Sequence, residues 1–565
     1  MKTKQANTYD AIVIGSGISG GWAAKELCEK GLKTLVLERG KMVKHIEDYP
    51  TAMLNPWDFK HRNQIPAVIK DKNPILSRCY AFDEATQHFF VKDEEHPYVQ
   101  EKPFDWIRGY QVGGKSLLWA RQTQRWSNFD FEGPARDGFG IDWPMRYEDL
   151  APWYSYVEKF AGISGNKDGL PAVPDGEFLP PFDLNCVEKH FQESIVKHYN
   201  DRKVIIGRAA HLTNPQPWHT ELGRGMCQTR HLCYRGCPYG AYFSSNSATL
   251  PAAERTKNLT IRPASVVHSI MYDETKKKAI GVRVIDANTK ETVEYFAKII
   301  FLNASTVNST LILLNSTSNR FPNGLGNDSG ELGHNLMCHI YRGRVYGSHE
   351  GFKDRYYSSG RRPTSAYMPR FRNLYKQETD FLRGYACSID ASRPRGQQSM
   401  ETFGADFKEK LTQPGDWQMG FMGMGEHLPQ HENKITLSKE KKDAWGIPQV
   451  VMNCEYGENE ERMIKDMHIQ GSEMLEKAGF KNIQTIDTKQ APGLDIHEMG
   501  TARMGKSPKT SVLNKWNQVW DCENVFVTDG SCMTSSSTQN PSLTYMAITA
   551  RAANYAVSEL NKKNL

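Results

Sequence analysis

The feature that most constrains the fold of this chain is an alternation of apolar and glycine-rich segments near its N-terminus. Residues 9–40 read YDAIVIGSGISGGWAAKELCEKGLKTLVLERG. The apolar run Ala11–Ile14 predicts a short buried parallel strand, and the pattern over 18–30 predicts a helix. A second apolar run, Thr34–Leu37, predicts the next strand. This order of elements is typical of a Rossmann-like α/β sheet.

Three glycines in this segment follow the spacing of a dinucleotide fingerprint. Gly15 allows the tight turn after the strand, Gly17 lets backbone amides approach a pyrophosphate, and Gly20 lets helix and strand pack closely. Glu38 ends the second strand, where an acid accepts hydrogen bonds from a ribose diol. The pattern predicts dinucleotide binding rather than a chance glycine-rich turn, but it does not distinguish FAD from NAD.

A second glycine-rich segment lies at residues 109–119, which read GYQVGGKSLLW. Gly113 and Gly114 are followed by the hydroxyl donor Ser116. Such a loop can lie against a flat cofactor, although an ordinary turn before a helix has the same composition.

Length, composition and charge exclude several classes of protein. A chain of 565 residues predicts two domains or one domain with large insertions, and the net charge of +6 is small beside 71 basic and 65 acidic residues, so no nucleic-acid partner is expected. No apolar run reaches the ~18–20 residues of a transmembrane segment. The N-terminus lacks the apolar segment and cleavage site of a signal peptide. The odd count of 11 cysteines argues against a disulfide scaffold.

Three of those cysteines crowd into the stretch MCQTRHLCYRGCPYG at 226–240. Cys227, Cys233 and Cys237 follow the spacing C-x5-C-x3-C-P. Zinc normally takes four ligands, and His231 is the only further potential ligand within this stretch. Thiolates followed by proline are common in iron–sulfur ligation, so an iron–sulfur site is favoured over structural thiols, zinc or a disulfide.

Further motifs lie in the second half of the chain. They read ELGHNLMCH at 331–339, GEHLPQHENKITLSKEKKDAWGIP at 425–448, HEMGTARMG at 497–505 and VTDGSCMTSSSTQNP at 527–541. With the N-terminal fingerprint and the VGGKS loop, these motifs resemble the glucose–methanol–choline (GMC) oxidoreductases, and among them the bacterial sugar dehydrogenases. The resemblance implies an α/β fold (α+β overall), with a Rossmann-like FAD-binding domain and a substrate domain built on an antiparallel sheet.

The resemblance also implies how the two domains are divided along the chain. The FAD-binding domain is expected from residues 1–45, 105–150, 245–320 and 490–565. The substrate domain is expected from 46–104, 151–244 and 321–489, with 226–240 as a cysteine-rich insertion.

Site residues follow from the same resemblance. His497 is expected to be the catalytic base and Asn540 its partner, and a neutral imidazole suits proton removal because its ordinary pKa of ~6.5 lies near working pH. Leu118 stands where some relatives carry a flavin-linked histidine, so FAD is expected to bind non-covalently. The expected cofactor-binding residues are Gly15, Gly17, Gly20, Glu38, Arg39, Gly113, Gly114, Ser116, Val267, Ala304, Asp529, Gly530 and Asn540.

The expected reaction is oxidation of a sugar or glycoside hydroxyl to a ketone, with hydride transfer to flavin N5. Position C3 of a glycoside is preferred, with a gluconate 2-dehydrogenase-like enzyme, an oxygen-using sugar oxidase and a non-catalytic dinucleotide-binding protein as alternatives. Cys227, Cys233 and Cys237 are expected to hold a [3Fe–4S] cluster that passes electrons onward to a cytochrome or quinone. The resemblance also implies a small partner subunit, with periplasmic location by co-export; a cytoplasmic enzyme fits the bare N-terminus equally.

Other polar residues are expected to have lesser roles. His334 and His339 are expected to be structural, and Glu426 is a weaker candidate for contact with a sugar hydroxyl. Trp119, Trp126 and Trp143, near the flavin loop, could stack on a sugar ring, but such aromatic residues also fill cores.

Overall fold

The computed structural model describes residues 7–355, 362–393 and 403–565. The strands are β1 (Ala11–Ile14), β2 (Thr34–Leu37), β3 (Val99–Gln100), β4 (Ile163–Ser164), β5 (Phe178–Leu179), β6 (Ile205–Ile206), β7 (Leu259–Arg262), β8 (Ser265–Asp273), β9 (Lys278–Asp286), β10 (Thr292–Phe296), β11 (Ile299–Leu302), β12 (His339–Ile340), β13 (Gly343–His349), β14 (Ala366–Met368), β15 (Tyr385–Ser392), β16 (Trp417–Glu426), β17 (Lys434–Lys442), β18 (Pro448–Asn453), β19 (Lys481–Asp487), β20 (Gln518–Val519) and β21 (Cys522–Val527).

The α-helices vary from single turns to rods of several turns. They are α1 (Ile18–Glu29), α2 (Ala67–Lys72), α3 (Asn128–Phe131), α4 (Gly133–Asp137), α5 (Tyr147–Ala161), α6 (Cys186–His198), α7 (Pro217–Thr220), α8 (Leu250–Arg255), α9 (Thr306–Asn315), α10 (Gly404–Thr412), α11 (Glu458–Lys477) and α12 (Ser542–Asn561). Among the residues that the structure describes, none of these helices is both long and apolar enough to cross a bilayer.

A six-stranded sheet with the order β20-β21-β11-β1-β2-β7 forms the first layer of the fold. Its five strands from β21 to β7 run parallel, and only β20 is antiparallel. Strands β1, β2 and β11 are buried along their whole length, as expected where helices cover both faces of a parallel sheet. The predicted strand–helix–strand unit at the N-terminus is confirmed.

The second large sheet is antiparallel and has the order β19-β13-β16-β15-β14-β6, with β12 paired to β16. Helix α11 packs against β13, β16 and β19, and α6 packs against β15 and α11. The expected fold class, a Rossmann-like domain joined to an antiparallel substrate sheet with helices behind it, is therefore confirmed.

Alternation along the antiparallel strands separates a helix-facing side from an open side. Gly343 approaches Met467 of α11, and Val345 approaches Gly471 of the same helix. Because successive side chains of a strand point to opposite faces, Arg344 and Tyr346 face away from α11. That open face is the one that meets the parallel-sheet layer across the site.

The strands of the parallel sheet come from residues 11–37, 259–302 and 518–527, so distant parts of the chain build one layer. The exact division into the two sets of segments given above remains a prediction. Residues 1–6 of the first expected segment, and 356–361 and 394–402 of the last, lie outside the described residues.

Candidate active site

The candidate active site is a cavity of about 700 Å³ between the two large sheets. One wall follows the carboxyl ends of β1, β2 and β11, where ligands of open parallel sheets usually bind. The opposite wall is the open face of β13, β15 and β16. Predicted site residues in the wall are Gly15, Gly17, Glu38, Arg39, Gly114, Ser116, Val267, Ala304, His497, Asp529, Gly530 and Asn540.

The glycine fingerprint forms the turn between β1 and α1. Gly15 has a φ of 95°, and a Cβ there would lie 2.3 Å from the carbonyl oxygen of Asn303. Gly20 packs so closely that a Cβ would lie 2.0 Å from the Gly15 carbonyl oxygen, whereas nothing lies within 4 Å of a Cβ on Gly17. The turn is thus closed on the protein side and open toward the cavity.

Glu38 lies at the end of β2 with its carboxylate in the cavity wall. It accepts hydrogen bonds from the backbone N–H and hydroxyl of Ser16 and from the backbone N–H of Gly40 at 2.9 Å. Burial raises the pKa of this carboxyl, and these hydrogen bonds partly oppose the shift. The bonds hold the side chain in place beside the turn.

The loop at 113–117 lies directly against the fingerprint. Gly114 approaches Gly17, since a Cβ on Gly114 would lie 3.3 Å from the Cα of Gly17. The Ser116 hydroxyl donates to the Gly113 carbonyl at 2.6 Å, so it is used inside the loop. Gly113 and Gly20 lie behind the cavity wall and shape the backbone there.

Arg39 closes the far end of the same wall. Its guanidinium lies 4.8 Å from the ring centroids of both Tyr110 and Trp445 and forms a 3.2 Å ion pair with Asp443. Val267 of β8 and Ala304 line the neighbouring surface.

Asp529 lies at the start of a 3₁₀ turn that follows β21. It accepts a hydrogen bond from the Ser309 hydroxyl, and its other oxygen accepts from the Ser531 backbone N–H at 3.0 Å. The backbone of Gly530 follows at close quarters, since a Cβ there would lie 2.4 Å from the Glu498 carbonyl oxygen. This turn positions Asp529 in the cavity wall.

These residues fit a bound FAD. The open backbone at Gly17 beside the N-terminus of α1 suits a pyrophosphate. A buried acid ends β2, and the buried hydroxyl of Tyr545 in the wall has no hydrogen-bond partner among the described residues. The cavity volume is that of a site for a large cofactor together with a substrate.

His497 and Asn540 meet in the wall, with Asn540 Nδ2 at 3.3 Å from His497 Nε2. On its other side, His497 Nδ1 lies 2.9 Å from Nδ1 of His339. His339 Nε2 lies 2.8 Å from the Ser536 carbonyl oxygen, which can only accept, so His339 donates there. Its Nδ1 is then the acceptor for His497 Nδ1–H, which leaves His497 Nε2 unprotonated and facing Asn540.

The protonation states support this assignment. Burial lowers the pKa of His497 well below its usual range, and the nearby His339 and Lys115 add to the effect. Burial likewise lowers the pKa of His339 to about 4. Both rings are therefore neutral near pH 7, and His497 Nε2 is available as a proton acceptor.

Asp495 lies beside this histidine pair. Its Oδ2 accepts the backbone N–H of His339 at 2.7 Å and lies 3.8 Å from His497 Nδ1. Its Oδ1 is buried without a hydrogen-bond partner among the described residues. Burial raises the pKa of the Asp495 carboxyl to about 7.

The sequence did not reveal the roles that neighbouring residues have around His497. His339 contacts His497 directly, a more specific role than the structural one expected. Asp495 is two positions before His497, and this short spacing was the sequence signal that could have placed a carboxylate beside the histidine. Glu426, in contrast, is buried outside the cavity wall and pairs with Arg383 at 2.6 Å, so it does not face a substrate.

The substrate-facing wall is polar. Tyr341, Arg344, Tyr346, Ser388 and Asp390 line it, and the last four occupy alternate positions of β13 and β15. Trp119 also lies in the wall, whereas Trp126 and Trp143 are fully buried in the core and do not reach the cavity.

The cysteine-rich loop lies beside the cavity. His231 and Tyr234, on either side of Cys233, belong to the cavity wall. Cys227, Cys233 and Cys237 are unpaired and partly exposed. Among the described residues, only His339, Asp495 and His497 bring three potential ligand atoms within 4.8 Å of one another, so the sulfurs do not converge on a single-ion site.

The surroundings of these thiols are cationic. Arg121 and Arg224 are buried, and neither forms an ion pair with a carboxylate among the residues described. His211, also buried, places Nε2 at 3.6 Å from Cys233 Sγ. Negatively charged thiolates would suit these buried arginines, whose side chains otherwise donate, among the described residues, only to backbone carbonyls.

Two GMC oxidoreductase family models match the chain, one over residues 9–341 and the other over 429–549. The protein therefore belongs to the GMC oxidoreductase family. It is similar to 2-methyl-1,2-propanediol dehydrogenase of Mycolicibacterium austroafricanum, with 29% identity over 98% of this chain and 96% of that protein. It is 25% identical to the fructose dehydrogenase large subunit of Gluconobacter japonicus, over 98% of both chains.

Solved structures show the same fold at lower sequence identity. A variant of Aspergillus oryzae formate oxidase superposes with a TM-score of 0.61 at 14% identity, over 98% of this chain and 99% of that one. The predicted family and the prediction of an enzyme are confirmed. The protein is an FAD-dependent oxidoreductase that acts on the CH–OH group of an alcohol or sugar.

Proposed function

We propose that the protein is a dehydrogenase that oxidises a secondary hydroxyl of a sugar or glycoside to a ketone, with C3 of a glycoside preferred. The observation that carries this proposal is the unprotonated Nε2 of His497 beside Asn540, opposite a wall of hydroxyl and charged side chains. Similarity to a sugar dehydrogenase subunit supports the substrate class.

The residues of the chain divide the reaction between them. Gly15, Gly17 and Glu38 would hold FAD, which when bound would supply the acceptor for the hydride that leaves the alcohol carbon. His497 Nε2 takes the hydroxyl proton, and Asn540 holds the same hydroxyl in line. His339 keeps the His497 proton on Nδ1, and the ionised form of Asp495 stabilises the imidazolium that proton transfer creates.

Cys227, Cys233 and Cys237 would hold a [3Fe–4S] cluster, which supplies one-electron transfer away from the site. The buried cations Arg121 and Arg224 support this proposal. Export of electrons would favour a dehydrogenase over an oxygen-using oxidase and would require a cytochrome or quinone acceptor. A small partner subunit completes the proposal, with co-export to the periplasm or, as the alternative, a cytoplasmic location.

An anaerobic visible spectrum of the purified holoenzyme tests the reaction. Glucosides, free sugars, gluconate and simple diols are added in turn, and bleaching of the flavin is followed by stopped flow. We expect a sugar or glycoside to bleach it faster than the diols. In His497→Ala we expect FAD to remain bound and the reduction rate to fall about 10²- to 10⁴-fold.

The exposed His61 provides the matched control, and His61→Ala should behave like the wild-type protein. Undiminished reduction in His497→Ala would exclude His497 as the base. Rapid bleaching by diols alone would replace the sugar with a simple alcohol as substrate.

A further inference from the structure

Arg344 stands out among the charged residues of the cavity wall. It lies on β13 between two residues that face α11, so its side chain points to the open face of the sheet. Its Nε is buried, yet Arg344 has no hydrogen bond and no carboxylate within ion-pair distance among the described residues.

The neighbours of Arg344 on the sheet cannot neutralise it. The residues opposite it on the flanking strands are Met422 of β16 and Ile486 of β19. Asp390, on the same open face, is two strands away, which corresponds to about 10 Å at the usual strand spacing. Asp390 lies instead 3.8 Å from Arg362.

The other arginines and the lysine of the wall all have partners: Arg108 and Arg121 donate to backbone carbonyls, and the rest pair with carboxylates. Arg39 pairs with Asp443, Arg78 with Asp105, Lys115 with Glu498, and Arg362 with Glu188. A partly buried guanidinium with neither a counter-ion nor a hydrogen-bond acceptor is unfavourable, so a wall that retains one is suited to an anion.

Arg344 lies in the same sheet as the histidine that contacts His497. Strand β12, which carries His339, and β13, which carries Arg344, both pair with β16, where their partners Glu426 and Met422 are four residues apart, or about 13 Å along the strand. His339 in turn lies 2.9 Å from His497 Nδ1. An anionic group bound by Arg344 would therefore belong to the substrate rather than to the distant nucleotide half of the cofactor.

We propose that Arg344 binds a carboxylate of the substrate, so that the substrate is a polyhydroxy acid of the aldonic or uronic type. This inference rests on the proposed function, which supplies the hydroxyl oxidised at His497. A planar guanidinium matches a carboxylate through two parallel hydrogen bonds. A phosphate dianion is less suitable, because Arg344 is a single cation and Asp390 shares the wall.

Matched pairs of acid and neutral compound test the proposal. Gluconate is compared with gluconamide, and methyl glucuronide with methyl glucoside, by anaerobic flavin reduction in the holoenzyme. In the wild type we expect the acid of the reactive pair to reach half-saturation at a concentration about 10- to 100-fold lower than its neutral counterpart requires. Arg344→Met should remove that difference by raising the half-saturating concentration of the acid. The limiting rate of flavin reduction should change less than about threefold.

Two further variants separate charge from geometry. Arg344→Lys keeps the charge but loses the planar fork, so an intermediate loss of acid preference is expected. Arg283 is exposed on β9 outside the cavity, and Arg283→Met should leave the preference unchanged.

A binding measurement independent of turnover completes the test. Acetate and acetamide are titrated into oxidised holoenzyme at constant ionic strength, and the flavin absorbance change is recorded. Acetate alone should perturb the spectrum, and Arg344→Met should abolish the effect. Inorganic phosphate, titrated in the same way, should perturb it less than acetate.

The outcomes separate this inference from the proposed function. If no sugar, glycoside or polyhydroxy acid bleaches the flavin, the proposed function fails, and the acetate titration still reports on Arg344. If neutral glycosides bleach it and Arg344→Met changes neither the acid preference nor the acetate effect, the function stands and the carboxylate site is overturned. A stronger response to phosphate than to acetate would overturn the choice of a carboxylate.

Discussion

A backbone carbonyl fixes which atom of His497 can accept a proton. The Ser536 carbonyl holds one proton on His339, and His339 in turn holds the His497 proton on Nδ1. Each link is an ordinary hydrogen bond of 2.8–2.9 Å, and together they leave Nε2 free on the cavity side. His497 can accept a proton only at Nε2, because its Nδ1 already donates a hydrogen bond to His339.

Asp495 should give the reaction a pH dependence of its own. With its pKa at about 7, it is neutral below that pH and charged above it, where it stabilises the imidazolium of His497. We expect wild-type flavin reduction to rise as pH passes through about 7. Asp495→Asn should lose this rise and be about tenfold slower at pH 8.

Stability should respond in the opposite sense. Because the folded-state pKa of Asp495 is raised, the folded protein binds the proton more tightly than the unfolded chain between about pH 4 and 7, and stability falls across that window as pH rises. Asp495→Asn should lack this decline in thermal melts of the holoenzyme. Asp71→Asn, at an exposed position, is the control; a rate profile of Asp495→Asn identical to wild type would exclude the role.

At the scale of elements, the two walls of the cavity differ in how they are built. The nucleotide wall is centred on one local unit, β1–α1–β2, whose turn contains the glycine fingerprint, and distant segments such as the 113–117 loop complete it. The substrate wall comes from alternate residues of strands that are distant in sequence, such as Arg344 of β13 and Ser388 of β15. Period-two alternation assigns the two faces only after the sheet order is known.

The contact between α11 and the antiparallel sheet depends on a glycine. A Cβ on Gly471 would lie 2.7 Å from Cγ2 of Val345, the neighbour of Arg344 on β13. Gly471→Leu should therefore push α11 from the sheet and lower the free energy of unfolding by about 1–3 kcal/mol, measured by denaturant unfolding of the holoenzyme. Ile469, which is 63% exposed on the same helix, gives the control Ile469→Leu. Equal stability of Gly471→Leu and wild type would show that the contact relaxes freely.

In the whole molecule, the cysteine-rich loop extends from the cavity wall to the surface. His231 and Tyr234 belong to the cavity wall, while the thiols of the same loop are partly exposed. The loop therefore connects the reaction site with the surface. Neither the glycine fingerprint nor the cysteine spacing indicated this adjacency.

Replacing one thiol should separate the two halves of turnover. Cys233→Ser should lower the iron and acid-labile sulfide content and reduce turnover with an artificial one-electron acceptor at least tenfold, while substrate still bleaches the flavin at about the wild-type rate. Cys186, at the start of α6, provides the control Cys186→Ser. Normal acceptor-linked turnover in Cys233→Ser, or anaerobically purified wild-type protein without iron, would leave the thiols a structural role.

The sequence by itself determined the dinucleotide fold, the family and the histidine expected to act as base, because these depend on short local patterns. The patterns that predict strand β1 and the turn at Gly15 lie within a few residues, although in the fold β1 pairs with the distant β11. Only the tertiary structure decided that His339 and Asp495 adjoin His497, and that Arg344 faces the cavity unpaired. These relations join segments of the chain that no local period connects, so they arise only when the two sheets pack together.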